Sequence, residues 1–390
     1  YELVLPSNLL QLIDHPKASN LLQLESAEQP IPVKKQRKYN ISRWALTGRD
    51  DININSRCNN IFKQMQEKNT AKPSDWKNLC WLWSSDFRTN ITEKRWKQYI
   101  KSIKRFEDKW LPDSITEKEK VICKNKLTFD RVKTRRKENY LVVEGVNIKA
   151  EFNLNRGLSL NSLIFKKYND QPLIGSLRHG YFNDIDWGAD YYSGHFVIQA
   201  PKQPQITDLE PVEPSIKKTS NGIELLAVIK TPVVQITKNW IIDDVYKTLS
   251  LSYDFNWLEQ ISGSVRMGHL TLIPEAFQKD SLEYRTHNGG LIEIHQVNSK
   301  NFDHSKPATF LVSASHGLGL TEGYIECGDS KQRLTVQLDS GRSNAIGFVT
   351  HNKVDDKFFY RLTFSTHELD ETVTTDVRNV GSFGLKIGIF

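Results

Sequence analysis

One run of seventeen residues, His179 to His195, is the densest concentration of aromatic, acidic and imidazole side chains in the chain. Aromatic rings can stack on sugar faces, and Asp and His side chains can hydrogen-bond sugar hydroxyls, so this composition favours a carbohydrate-binding surface. The sequence therefore predicts sugar contacts from the following residues of the run: His179, Tyr181, Trp187, Asp190 and His195. Two further acids of the run, Asp184 and Asp186, are candidates for a catalytic role.

Three other interpretations of this run stay open on sequence alone. It could be a polar loop that closes a β-sandwich. Its carboxylates could bind Ca²⁺, although their spacing is not that of an EF-hand loop. His179 and His195 could bind zinc, but nothing in the sequence fixes their geometry. We expect no metal and no cofactor.

A second polar and aromatic segment, residues 80–90, follows a predicted helix. Ser84, Ser85 and Asp86 are poor helix-interior residues because their side chains compete with the backbone for hydrogen bonds. A helix carries such a cluster more readily where it faces a cavity, so Asp86 is a third catalytic candidate. Trp83 and Arg88 are predicted to bind substrate beside it. The alternative is a helix end followed by the cap of the next helix.

The remaining candidates come from three shorter stretches. Trp44 and Arg49 lie at the entrance of a predicted helix, where an N-cap with an Arg–Asp ion pair is the alternative. His269 lies in a strand-like stretch, where a histidine packed in the core is the alternative. His287 and Asn288 precede two glycines, where a turn is the alternative.

The period of the apolar residues changes along the chain and sets the expected architecture. Apolar residues recur at helical spacing up to Trp110, whereas strict alternation characterises later runs such as Leu249 to Trp257. The basic stretch Arg131–Lys137 between these regions is expected to be a linker. The fold class is therefore α+β: an extended arm over 1–40, a helical bundle over 41–137, and a large antiparallel β-sandwich over 138–390.

Composition excludes several classes of protein. The chain has 390 residues, of which 38% are hydrophobic, so wholesale disorder is excluded. No apolar run approaches the roughly 20 residues of a membrane span. The net charge of +7 accompanies no nucleic-acid-binding motif, so we expect neither nucleic acid nor membrane as a partner. Four dispersed cysteines fit a cytoplasmic location.

The order of these parts resembles the C-terminal portion of family 57 glycoside hydrolases and related bacterial α-mannosidase-type proteins. The stretch Trp83–Phe87 is similar to the bundle motif that contributes an acidic residue to the sugar site of that family. The other stretches that carry the resemblance are Tyr39–Arg57, Leu79–Trp96, Leu177–His195, Gly268–Ala276 and Tyr284–Gly290.

The resemblance implies a mutarotase-like super-sandwich and a retaining mechanism with two carboxylates. In that family the catalytic pair lies on barrel strands, and no alternating βα pattern occurs here. We therefore expect a catalytic barrel upstream of Tyr1 in the same protein, with this chain binding the oligosaccharide or polysaccharide substrate. Two alternatives stay open: a non-catalytic carbohydrate-binding or polysaccharide-assembly protein, and a sugar epimerase or lyase with its site in the sandwich.

Overall fold

The structure is a computed structural model. It describes residues 51–87, 91–111, 132–166, 170–200, 203–287, 292–297, 316–318, 320, 323–339, 341–343, 345–367 and 380–389. The arm expected over residues 1–40 lies outside these ranges. Within them, no helix is both long and apolar enough to cross a membrane.

The described residues before 112 form three helices: α1 (Asp51–Lys68), α2 (Pro73–Leu82) and α3 (Glu93–Trp110). Pro73 begins α2, where its fixed φ suits a first helical turn. The Thr92 hydroxyl caps α3 by accepting a hydrogen bond from the Arg95 N–H at 3.4 Å. One apolar core joins the three helices: Ile54, Cys58, Ile61, Met65, Leu79, Leu82, Tyr99, Ile103, Phe106 and Trp110. The helical bundle expected over residues 41–137 is therefore supported only in part, by three helices among the described residues.

The described residues from 133 onward form twenty strands. They are β1 (Lys133–Lys137), β2 (Tyr140–Glu144), β3 (Ile148–Asn153), β4 (Ser159–Phe165), β5 (Ile174–Gly175), β6 (Phe196–Gln199), β7 (Ile206–Thr207), β8 (Ser215–Lys218), β9 (Gly222–Lys230), β10 (Val234–Asp243), β11 (Thr248–Trp257), β12 (Ser264–Leu272), β13 (Glu283–His287), β14 (Ile292–Gln296), β15 (His316–Leu318), β16 (Tyr324–Gly328), β17 (Arg333–Leu338), β18 (Ile346–Val354), β19 (Lys357–His367) and β20 (Ser382–Ile389).

These strands form two antiparallel sheets. In the described part, one sheet has eleven strands in the order β1-β2-β3-β4-β5-β12-β19-β18-β15, with β6 beside β12 and β7 beside β6. The other has nine, in the order β14-β13-β16-β17-β20-β11-β10-β9-β8. Side chains from both sheets bury one large apolar cluster. The predicted antiparallel sandwich is confirmed.

Strand β19 shows how alternation divides the eleven-stranded sheet into two faces. Tyr360 and its neighbours at every second position, Leu362 and Phe364, are buried in the core between the sheets. Successive side chains of a strand point to opposite faces, so the residues between them belong to the other side. We call that side, away from the core of the sandwich, the outer face.

Strand β1 replaces the expected basic linker. Lys133–Lys137 pairs with β2, from Lys133 opposite Glu144 to Lys137 opposite Tyr140. All five residues of β1 are exposed, so no apolar alternation marks this strand in the sequence. Charged side chains suit an edge strand, because they discourage pairing with another chain. The described sandwich thus includes five residues that the sequence analysis assigned to the helical part.

A buried ion pair connects the two sheets. Lys238 of β10 donates from Nζ to Asp208 Oδ2 at 2.9 Å and to the Gly157 carbonyl at 2.6 Å, and both charged side chains are fully buried. Asp208 also accepts a hydrogen bond from the Phe196 N–H at 2.9 Å. Burial raises the pKa of Asp208 and lowers the pKa of Lys238, so burial disfavours both charges. The charge of each partner opposes this effect on the other, which is why the two groups are buried as a pair.

We predict that Lys238→Met lowers the free energy of unfolding by about 3–5 kcal/mol, because it leaves the Asp208 carboxylate buried without its partner. The measurement is equilibrium denaturation in urea. The control is Lys217→Met, which removes an exposed ion pair with Glu224 and should cost less than about 1 kcal/mol. Equal losses for the two variants would contradict the structural role given to the buried pair.

Candidate functional site

An open cavity of about 250 Å³ lies on the outer face of the eleven-stranded sheet. Its floor comes from β12, β19 and β18, which are neighbours in the sheet. The lining residues from these strands are Arg266, His269, Phe348, Thr350, Phe359, Arg361 and Thr363, and Trp187 and Tyr191 complete it from a loop. The alternation of β19 explains three of them, because Phe359, Arg361 and Thr363 stand at every second position.

A β-bulge in β12 brings Arg266 and His269 to the same face. Residues three apart in a regular strand point to opposite faces, but the register against β19 shifts between Met267 and Leu270. Gly268 within the bulge has φ +61°, a conformation that favours glycine. A Cβ at this position would also lie 2.6 Å from Leu385 Cδ2. The bulge therefore requires glycine for two independent reasons.

The loop between β5 and β6 supplies the aromatic wall of the cavity. It includes a short 3-10 helix, Ile185–Trp187, and an isolated bridge between Leu177 and Tyr191. The rings of Trp187 and Tyr191 lie 4.8 Å and 4.5 Å from the ring of Phe359, measured between centroids. The loop is thus packed onto the sheet by its own aromatic residues, and part of each of these two rings still faces the cavity.

Two buried imidazoles contact each other beneath this wall, with their ring planes tilted by 34°. The rings of His195 and His269 are 4.1 Å apart between centroids. The Gly194 N–H donates to the His269 carbonyl, and the Gly268 N–H donates to the His195 carbonyl, so backbone hydrogen bonds fix the pair. The Nδ1 atoms of both rings are buried and have no hydrogen-bond partner among the described residues.

Arg361 connects the imidazole pair to the loop. Its Nη2 donates to the Tyr192 carbonyl at 2.9 Å and to His195 Nε2 at 2.6 Å. Because His195 Nε2 accepts this hydrogen bond, the proton of the neutral ring is on Nδ1. The guanidinium carbon also lies 5.8 Å from the centroid of the Tyr191 ring. Arg361 therefore orients His195 and holds the end of the loop.

The electrostatics of the cavity keep both imidazoles neutral at pH 7. Burial, followed by the positive charges of Arg361 and Lys238, holds the pKa of His195 well below its usual value. Burial, His195, Arg361 and Arg266 do the same for the pKa of His269. Burial lowers the pKa of Arg361 itself to about 10, so its guanidinium stays charged.

The structure brings three of the predicted site residues together. Trp187 and His269 line the cavity, and the ring of His195 contacts the ring of His269. His179 is exposed. Tyr181 donates its hydroxyl proton to Glu275 Oε1 at 2.6 Å.

The three aspartates of the loop have different surroundings. Asp184 accepts a hydrogen bond from the Asp186 N–H at 2.9 Å and so begins the 3-10 helix, whereas the Asp186 side chain is exposed. Asp190 accepts from the His179 N–H at 2.8 Å and from the Tyr192 hydroxyl at 3.1 Å. The contacts of Asp184 and Asp190 stabilise the loop, and any contact of the three with a ligand stays a prediction. Among the described residues, no group of three His, Cys, Asp or Glu side chains is arranged to hold a metal ion.

Two other candidates lie in the helical part. Trp83 Nε1 donates to Asn55 Oδ1 at 2.9 Å, and Asp86 is exposed in a 3-10 turn. Neither lines the cavity. The remaining candidates, Trp44, Arg49, Arg88, Asn288 and the side chain of His287, lie outside what the structure describes.

Sequence reasoning missed Phe359 and Arg361, although the signal for them was present. They alternate along β19 with Tyr360, Leu362 and Phe364, which are buried in the core, so a period of two marks them as residues of the opposite face. Tyr191 lies within the run from His179 to His195, whose aromatic composition was its signal, and Arg266 lies three residues before the predicted His269.

The buried imidazoles predict a specific dependence of stability on pH. A histidine whose folded pKa is depressed stabilises the fold above its unfolded pKa of about 6.5, and this stability is lost as pH falls. Below about pH 6.5 each such imidazole should therefore cost up to about 1.4 kcal/mol per pH unit. Urea denaturation between pH 7.5 and 5 measures this slope for the parent and for His269→Gln, which should be shallower. The exposed His179→Gln should match the parent, and parallel slopes for all three proteins would contradict the assignment.

Comparison with known proteins gives weak likenesses only. No protein-family model matches the sequence, and no curated protein matches it. The chain is similar to a galactose mutarotase-like protein from Clostridium acetobutylicum, with 8% identity, TM-score 0.41, and 66% of this chain and 97% of that one covered. Galactose 1-epimerase from Lactobacillus acidophilus gives 11% identity, TM-score 0.41 and coverages of 66% and 99%. A 4-α-glucanotransferase from Thermococcus litoralis gives 10% identity and a TM-score of 0.37, and the match covers 87% of this chain but 50% of that one. At TM-scores below 0.5, these likenesses decide neither the family nor the activity of the chain.

Proposed function

We propose that the cavity on the outer face binds a sugar. The observation that supports this most is the meeting of aromatic rings, from Trp187 and Tyr191, with polar groups, from His269 and Arg361, in one open cavity. Small-ligand sites combine largely apolar and aromatic walls with a few placed polar groups. A sugar ring offers C–H faces for the aromatic side chains and hydroxyls for the imidazole and the guanidinium.

Within a larger enzyme, the chain would supply substrate binding to a retaining glycoside hydrolase or transglycosidase. Retaining hydrolysis requires two carboxyl groups about 5–5.5 Å apart. No carboxylate is among the described residues that line the cavity. This composition supports a binding role for the cavity, with the catalytic pair of such an enzyme located elsewhere.

The test is sugar binding by Trp187→Ala. The parent is first screened on an array of neutral and acidic oligosaccharides, and the strongest ligand is then titrated calorimetrically. Loss of one aromatic contact of this kind should weaken binding by roughly three- to tenfold, since it contributes about 0.5–1.5 kcal/mol.

The matched control is Trp81→Ala, which removes a tryptophan that is 53% exposed in the helical part and should leave affinity unchanged. Trp187→Phe keeps an aromatic face and should retain most of the affinity. If the array shows no binding, or if Trp187→Ala binds like the parent, the cavity is not the sugar site.

A sugar epimerase is the second candidate, and the neutral imidazole at the cavity favours it. In anomer interconversion a base takes the proton of the anomeric hydroxyl, an acid protonates the ring oxygen, and the C1–O5 bond breaks and re-forms. His269 is in the neutral state that a base requires, because burial and neighbouring positive charge lower its pKa.

Polarimetry of freshly dissolved α-D-galactose and α-D-glucose tests this activity. Acceleration that is lost in His269→Gln, with sugar affinity retained, would support an epimerase. If the parent protein binds these sugars without accelerating their interconversion, the proposed binding function stands and epimerase activity on these sugars is excluded.

A further inference from the structure

The charged groups of the cavity all have the same sign. Two of the described lining residues, Arg266 and Arg361, are guanidinium cations, and none is a carboxylate. Both line the same cavity as His269. Guanidinium groups from two neighbouring strands therefore line the cavity.

Arg361 differs in its partners from five other arginines of the described part. Arg57, Arg285 and Arg342 each contact a carboxylate within 3 Å, on Glu107, Glu283 and Asp254. Two more arginines form such pairs, Arg136 with Glu213 and Arg333 with Glu283. Five arginines of the described part thus have a carboxylate partner within 3 Å.

None of the described residues that Arg361 contacts carries a negative charge. The contacts are a carbonyl, the neutral ring of His195 and the face of Tyr191. Burial raises the pKa of Tyr191, so that phenol is also uncharged at pH 7. The Nε atom of Arg361 is sealed from solvent and has no partner among the described residues.

A charge in this environment is normally compensated. Charged side chains removed from water are almost always paired. Arg361 is half-buried, borders an open cavity and has no carboxylate among its described contacts. This arrangement is expected of a charged group whose counter-ion is part of the ligand. Guanidinium groups are well suited to carboxylate and phosphate recognition.

We propose that the ligand is an anionic sugar, whose acidic group lies against Arg361 and Arg266 while its ring lies against Trp187 and Tyr191. This inference rests on the proposed sugar-binding function and narrows its substrate class to sugars with a carboxylate or a phosphate. Ligand pockets usually enclose about 300–1,000 Å³, so a cavity of about 250 Å³ suits one sugar residue, either free or at a chain end.

The experiment compares matched sugars on the full chain by calorimetric titration. The probes are glucose, galactose and mannose, the corresponding hexuronic acids and hexose 6-phosphates, and inorganic phosphate alone. At least one acidic sugar should bind about ten- to hundredfold more tightly than its parent hexose, as expected for hydrogen bonds to a charged group. Arg361→Gln and Arg266→Gln should each remove most of that preference.

Two further variants separate charge from folding. Arg361→Lys keeps the positive charge and should keep part of the preference for the acidic sugar. Arg342→Gln removes an arginine that pairs with Asp254 in the nine-stranded sheet and should bind like the parent. The unfolding free energy of every variant is measured in urea, so that loss of binding through unfolding is recognised.

The outcomes distinguish this inference from the function on which it rests. Equal affinity for the hexoses and for the corresponding acidic sugars would overturn the inference that the ligand is anionic, and the proposed sugar binding would stand. Binding of inorganic phosphate as tight as that of any hexose phosphate, without binding of a hexose, would overturn sugar recognition and with it this proposal. Absence of binding to every probe would overturn both.

Discussion

The buried ion pair between Lys238 and Asp208 is the interaction on which the site most depends. Lys238 belongs to the nine-stranded sheet, and its ammonium reaches the Gly157 carbonyl and the Asp208 carboxylate on the side of the eleven-stranded sheet. The same carboxylate accepts the Phe196 N–H, and His195 directly precedes Phe196. An ionic interaction inside the core thus fixes the backbone from which an imidazole of the outer face projects. Pairing two fully buried charges is costly unless all their hydrogen bonds are made, and these contacts make several.

A close approach of backbone to tryptophan extends this constraint to the loop. Gly194 has φ +65°, and a Cβ there would lie 2.3 Å from Trp240 Cζ2. Its carbonyl accepts a hydrogen bond from the Tyr253 hydroxyl at 3.0 Å. Trp240 in turn donates from Nε1 to the Leu158 carbonyl at 3.0 Å. The loop therefore enters β6 through a position that only glycine fills without displacement, and the core of the sandwich determines where the aromatic wall can stand.

Periodicity predicted the architecture and left the site only partly resolved. Alternation in runs such as β11 was enough to predict an antiparallel sandwich, because burial of one strand face imposes a period of two. The same rule contains two signals that sequence reasoning did not use: Lys238 occupies an inward position of β10, and Arg361 an outward position between two core residues. Strand β1 could not be predicted in this way, since all five of its residues are exposed. The pairing of His195 with His269 depends on a bulge and on contacts between residues 74 positions apart, which no local pattern encodes.

The arrangement of protons in the cavity connects charge recognition with chemistry. His195 Nε2 is occupied by the Arg361 donor, so His195 cannot take a proton at that atom while this contact holds. Burial, followed by His195, Arg361 and Arg266, holds the pKa of His269 well below its usual value, and a base with a depressed pKa is weak. An anionic group placed against Arg361 and Arg266 would offset the part of this depression that the two guanidinium groups cause, while the part due to burial would remain. With such a ligand, recognition of its charge and basicity of the imidazole would increase together, whereas a neutral sugar would occupy the same cavity without that effect.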